Sequence, residues 1–163
     1  IIIIIIIIII IIYTINDNVI MNYKHTQIGY LILFVLLAVI ILFGSILVQA
    51  EFNSIILITM ILIVIIVASF ASLTVMIDKK YLTIKFGYGI YKKRFLLKDI
   101  SSARMVKNQW YYGWGIRVWL WPRMIIYNIS GFDAVEISMK DKKIYRIGTD
   151  EPQRLEQEIL QSI

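Results

Sequence analysis

The sequence predicts a membrane α hairpin, made of two transmembrane helices, joined to an α+β domain in which seven antiparallel strands are capped by a C-terminal helix. Three observations carry this. Two uncharged apolar runs, Ile28–Ala50 and Ile55–Ile77, each 23 residues long, lie four residues apart. From Asp78 onward, apolar and polar residues alternate with period two. The last segment, from Asp150, changes to period 3.6.

The first element is anomalous. Ile1–Ile12 is an unbroken isoleucine run. Twelve β-branched apolar residues are an aggregation hazard in water. As a helix the run would reach roughly 18 Å, short of the ~30 Å of a bilayer's hydrocarbon. It reads as a placeholder, and residues 1–20 as an unassigned or non-native segment. "MNYKHTQ", from Met21, reads as a natural start. The 60% hydrophobic content and mean hydropathy of +0.79 exceed the 45–50% usual for soluble domains, and the two later runs survive removal of the isoleucines.

As helices, Ile28–Ala50 and Ile55–Ile77 would each be about 35 Å long, enough to cross with modest tilt. The connector Glu51–Ser54 forces an antiparallel return, so residues 21–77 read as one hairpin. It carries no Lys or Arg, while Lys24 precedes the first run and Lys79 and Lys80 follow the second. The positive-inside rule then puts both chain ends in the cytoplasm. Gly44 and Ser45 offer close approach to Ala68, Ser69, Ala71 and Ser72. Neither run holds an ionisable side chain, which argues against a transport path through this chain alone.

Residues 78–163 read as the folded domain. Leu82, Ile84 and Phe86 alternate with Tyr81, Thr83 and Lys85; Val135, Ile137 and Met139 alternate with Glu136, Ser138 and Lys140. Strands are expected near 81–87, 90–97, 100–107, 115–121, 124–129, 134–140 and 143–148, with turns at Gly87–Gly89, Gly113–Gly115, Ser130–Asp133 and Asp141–Lys142. Asp150 is placed to cap a helix with Pro152 in its first turn. Leu155, Ile159 and Ile163 would form its apolar stripe.

On "YYGWGIR" (Tyr111–Arg117), "YNISGFDAVEI" (Tyr127–Ile137) and "YRIGTDEPQRLEQEI" (Tyr145–Ile159), over residues 21–163, the chain resembles the bacterial membrane-anchored pleckstrin-homology-like proteins. The resemblance implies a PH-like domain and a prokaryotic plasma membrane. The family is largely uncharacterised, so it implies no ligand and no catalytic residue.

Charge is unevenly spread. Residues 79–123 hold eleven cations against Asp99 alone, for +10; residues 124–163 hold five against seven anions, for −2. Lys79, Lys80, Lys92, Lys93 and Arg94 are therefore candidates for contact with anionic headgroups or an acidic protein, each juxtamembrane cation gaining about 1 kcal/mol near an anionic leaflet. The alternative is ordinary positive-inside topology with a solvated strand face.

All four tryptophans fall in "NQWYYGWGIRVWLWPR", Asn108–Arg123. Its first half reads as a loop whose Trp110, Tyr111 and Tyr112 dip into headgroups, dock a partner, or fold back on the domain. In its second half Ile116, Val118 and Leu120 alternate with Arg117, Trp119 and Trp121, with Arg123 after the turn. The first face fits the core. The second fits a membrane or protein interface, or core again, since tryptophan suits both.

Enzyme signatures are missing. There is no cysteine, and His25, the single histidine, reads as a snorkelling residue at the membrane border. Neither Gly-rich phosphate-loop pattern occurs, and the carboxylates show no pairing. No cofactor or metal is expected. The expectation is a non-enzymatic, membrane-tethered binding or assembly module, with an accessory subunit of a larger membrane complex as the alternative. Its partners would be lipids, a protein or further copies of itself rather than nucleic acid.

Overall fold

The computed structural model describes residues 22–163. The isoleucine run and the proposed start at Met21 lie outside the described residues. The first element is a strand, β1 (Tyr23–Ile28). It passes through Gly29 alone into helix α1 (Tyr30–Gln49), which turns at Ala50–Asn53 into α2 (Ser54–Ala68). Then follow β2 (Ser72–Ile77), β3 (Tyr81–Phe86), β4 (Tyr91–Leu96), β5 (Ile100–Lys107), β6 (Gly115–Leu120), β7 (Arg123–Asn128), β8 (Asp133–Met139), β9 (Ile144–Gly148) and helix α3 (Pro152–Ser162).

Two expectations about the apolar runs are corrected here. Ile28 closes β1, so the first helix spans 20 residues, about 30 Å. It is long and apolar enough to cross a membrane. The second run divides. Its helix has 15 residues, about 22 Å, and Ser72–Ile77 is strand. The Ser69 hydroxyl donates to the Ile66 carbonyl (2.6 Å), and the Phe70 and Ala71 amides turn back onto Val67 and Ala68. Phe70 then packs edge-on against Phe86, with ring centres 5.7 Å apart. Beyond it Leu73, Val75 and Ile77 are buried in the domain. A hydropathy window sees one apolar run; period two within its last six residues makes them a strand.

The strand count of seven is likewise corrected, to nine among the described residues. Each of the seven expected segments is a strand, and β1 and β2 join them. The domain thus begins before the hairpin instead of after it. One sheet has the order β1-β2-β3-β4 and the other β5-β8-β9-β7-β6. β7 and β9 run parallel and every other pairing is antiparallel. Two insertions explain the orders. The α1–α2 hairpin separates β1 from its partner β2, and the β6–β7 hairpin separates β5 from β8. Without them, four strands face three, closed by α3.

The core lies between the sheets. An aromatic series of Phe70, Phe86, Tyr91, Tyr127, Tyr145 and Phe95 links them, with neighbouring centres 4.7–6.4 Å apart. The Tyr91 and Tyr127 hydroxyls meet at 3.2 Å. Burial and that bond push the Tyr127 hydroxyl well above the ordinary tyrosine value. Leu155 and Ile159 of α3 are fully buried against this core, but Ile163 is 45% exposed, past the end of the helix. Glu151, not Asp150, precedes the helix, and it makes no side-chain cap.

Gly44 does not bring the helices together: a Cβ there would meet nothing within 4 Å. The antiparallel return places it level with the first half of α2, far from Ala68. Both helices expose apolar side chains along their length, among them Phe34, Ile41, Val48, Ile55 and Ile66.

Candidate interaction surface

The domain has two ends. At the root end the hairpin enters: the Gly29 amide donates to Ala71 O (2.9 Å), Gly87 to Ser72 O (2.8 Å), and Gln27 Nε2 to Ser130 O (3.2 Å). At the distal end the Leu97 amide donates to Lys80 O (3.0 Å) and Lys140 to Asp99 O (2.8 Å), extending the β3–β4 and β5–β8 ladders on either side of the Leu97–Asp99 turn.

This geometry sorts the candidate cations by distance from the root. Ser72 to Ile77 spans about 17 Å of strand. Lys79 and Lys80 therefore lie at the distal end, not beside the membrane as their place after an apolar run suggested; β2 carries them away. Lys92 is opposite Lys85, which is opposite Thr74, about 7 Å along the sheet from Ser72. This pair stands within the ~8–10 Å screening length of the root. Lys93 and Arg94 lie one and two residues further, with Arg94 over the Tyr81 ring (5.8 Å) and Lys93 beside Phe95 (5.9 Å). Lys85, Lys92 and Arg94 share the outer face of the first sheet with Lys24. Tyr88 and Ile90, in the root-end turn between β3 and β4, are 78% and 70% exposed.

The tryptophan stretch is divided differently from the expectation. Trp110–Tyr112 forms a single 3₁₀ turn over the outer face of the second sheet. Tyr112 is buried there on Met124 and Ile126, with Trp119 at 5.0 Å. Tyr111 also rests on Trp119 (5.7 Å), and Trp110 stands edge-on to Tyr111 and largely exposed. Trp119 Nε1 donates to Trp121 O (2.7 Å). So Trp119 belongs to a small satellite core. On the other face Ile116 reaches the main core, but Val118 and Leu120 are exposed, because the β6–β7 hairpin runs beyond the first sheet. Trp121, at its tip, is 91% exposed, with Arg123 beside it. Arg117 Nε donates to Trp114 O (3.2 Å). The basic candidates of the first sheet and the Tyr111–Tyr112–Trp119 cluster thus form separate patches, while Trp121 and Arg123 stand together at the distal tip. Replacing Trp119 by Ala is expected to cost about 1–2 kcal/mol, half a core value, and Trp121→Ala within about 0.5 kcal/mol. Thermal unfolding of both variants in detergent micelles checks the contrast.

Sequence reasoning missed one constellation under this aromatic lid. Glu136 is 4% exposed and takes Arg104 on Oε1 (2.6 and 2.9 Å) and Arg146 on Oε2 (2.8 Å). Burial pushes its carboxyl up, but the bonds and charges of the two arginines outweigh that and hold it below the ordinary glutamate value. The Arg146 guanidinium lies 5.6 Å over the Tyr112 ring. Alternation put Glu136 on the outer, solvated face; Arg104 and Arg146, opposite it on the two neighbouring strands, are bonded to it there, and Tyr112 stacks on Arg146. The only available signal was an aromatic loop between two strands that pair with others.

His25 lies within β1, not at a membrane border. Its Nε2 is 2.5 Å from Asp150 and its Nδ1 3.4 Å from Glu151, so it joins the start of α3 to the first sheet. Tyr23, two residues away, has its hydroxyl pushed up to about 12 by burial and the Glu151 charge. Among the described residues no group of three or more His, Asp or Glu is disposed to hold a metal. Comparison with family models, curated proteins and solved structures gives no match.

Proposed function

We propose that this chain is a non-enzymatic, membrane-tethered binding module. One observation supports this most: the apolar hairpin is inserted between two strands that pair with each other. One residue joins β1 to α1 and three join α2 to β2. A hairpin in the bilayer would therefore hold the domain against the leaflet in one orientation, with no linker to relax it. The root-end Tyr88 and Ile90 suit the headgroup boundary, and Lys85 and Lys92 beside them suit anionic lipid. The positive-inside preference puts this domain in the cytoplasm and the Glu51–Ser54 turn outside. The arrangement of four strands facing three with a closing helix supports the PH-like reading.

A second reading, as an accessory subunit or self-associating chain, draws on the apolar side chains that both helices leave exposed, which offer lateral surface to other helices.

The absence of cysteine makes a test direct. Full-length Tyr88→Cys and Trp121→Cys proteins are labelled with an environment-sensitive fluorophore and reconstituted into vesicles. The label at 88 is expected to emit as in an apolar setting and to be quenched by lipid-borne quenchers, and the label at 121 to emit as in water. Equal emission and quenching at the two sites would refute the orientation.

A further inference from the structure

We propose that the distal end is a docking site for an acidic segment of a water-soluble protein partner. This rests on the tethered reading, which decides which end faces away from lipid. Three pieces of chain meet there. The β2–β3 turn brings Lys79 and Lys80, the Leu97–Asp99 turn brings Lys98, and the β8–β9 turn brings Lys140 and Lys142; all five are exposed. Arg123 stands at the β6–β7 tip, level with the start of β9.

The carboxylates of these turns are largely engaged. Asp78 accepts the Lys80 and Tyr81 amides, both at 2.7 Å. Asp141 takes the Lys143 ammonium at 2.7 Å and its amide at 3.1 Å. Amide hydrogen bonds leave the Asp78 charge in place; with Lys143 included, seven cations stand against Asp78, Asp99 and Asp141, so the end keeps a net +4.

Lipid does not account for this charge. The root lies about 17 Å of strand away, some two screening lengths. The same end carries Trp121 and Leu120, 91% and 75% exposed, next to Pro122 and Arg123. An exposed tryptophan beside arginine is the composition of a protein-binding hot spot. Cations around such an anchor attract acidic partners and set their orientation. An acidic protein segment supplies carboxylates for the cations and apolar side chains for Trp121 and Leu120; a single-stranded nucleic acid supplies phosphates and stacking bases, the alternative that the test separates.

The test uses the full chain in nanodiscs of phosphatidylcholine, which carries no net charge. A fluorescent polyglutamate peptide is the probe, and anisotropy gives its Kd. The distal variant Lys79→Glu/Lys80→Glu/Lys140→Glu is expected to bind about tenfold more weakly or worse. The variant Lys85→Glu/Lys92→Glu/Lys107→Glu changes net charge equally at the root end, and is expected to stay within about threefold. Trp121→Ala is expected to weaken binding by about threefold or more with unchanged thermal unfolding. Equal loss from both charge variants overturns the proposal, since binding would then follow net charge. Tighter distal binding of a single-stranded oligonucleotide of matched charge also overturns it. Flotation of the same protein with vesicles reports separately on the tether, so failure of the hairpin to insert is not mistaken for failure of the distal site.

Discussion

Glu136→Ala is expected to destabilise the domain by about 3–4 kcal/mol. The carboxylate is 4% exposed and engages two guanidinium groups on opposite oxygens. Arg104 is 70% exposed and can turn to water, but Arg146 is 14% exposed, held between Glu136 and the Tyr112 ring. Removing the carboxylate leaves Arg146 as a mostly buried, uncompensated charge, the situation that costs about 3–5 kcal/mol in known buried pairs. Glu136→Gln keeps the shape and some hydrogen bonding and should cost less. Arg104→Ala should cost least, about 1 kcal/mol, since water screens its exposed end. The pH dependence has a definite sign. The folded carboxyl lies below its ordinary value. Its contribution is fully present above the unfolded value, about 4.3, and is lost as pH falls through the lower folded value. Denaturant titration in micelles near neutral pH and below pH 4 should show the gap between wild type and Glu136→Gln closing in acid. A Glu136→Ala variant as stable as wild type would show that Arg146 is not left as a buried, uncompensated charge.

Local pattern made most of the strands legible and concealed how they assemble. Among the seven later strands, those such as β3 and β8 that turn alternate apolar residues to the core show period two. β2 was hidden because apolar helix and apolar strand adjoin without a charged residue between Ile55 and Ile77. β1, "YKHTQI", has only Tyr23 and Gln27 well buried, so its polar look gave no signal. Pairing Ile28 with Ser72 requires closing the chain around two helices, which no local pattern encodes. The candidate site shares this limit. The count of cations was readable in the sequence. Which of them lie near the hairpin depends on strand direction, and that sets Lys92 beside the root but Lys79 and Lys80 at the far end. The alternation of Val118, Trp119, Leu120 and Trp121 was correct as geometry. Burial followed what covers each face: Tyr111 and Tyr112 cover Trp119, and nothing in the described residues covers Leu120.

Gly87→Ala is expected to destabilise the domain by about 2–5 kcal/mol. Gly87 has φ +45°, and a Cβ there would lie 2.2 Å from the Ser69 carbonyl oxygen and 2.7 Å from its carbon. The left-handed backbone alone costs a non-glycine residue about 1–2 kcal/mol. The clash is with backbone at the end of α2, which no rotamer change relieves, and forcing such overlap typically costs about 1–3 kcal/mol more. Gly131 separates the two effects. Its φ is +68°, and a Cβ there meets nothing within 4 Å, so Gly131→Ala should show the backbone cost only. Thermal unfolding of the full chain in micelles should fall by an amount on the order of 10 °C for Gly87→Ala and by roughly a third of that for Gly131→Ala. The difference measures how tightly the hairpin is seated on the domain. The Gly87 amide also donates to Ser72 O across the same junction, so a shift there tilts helix and sheet relative to each other. A Gly87→Ala protein no less stable than Gly131→Ala would mean the α2 end yields freely. The domain would then swing on its helices, and the opposed root and distal ends would lose their fixed relation to the membrane.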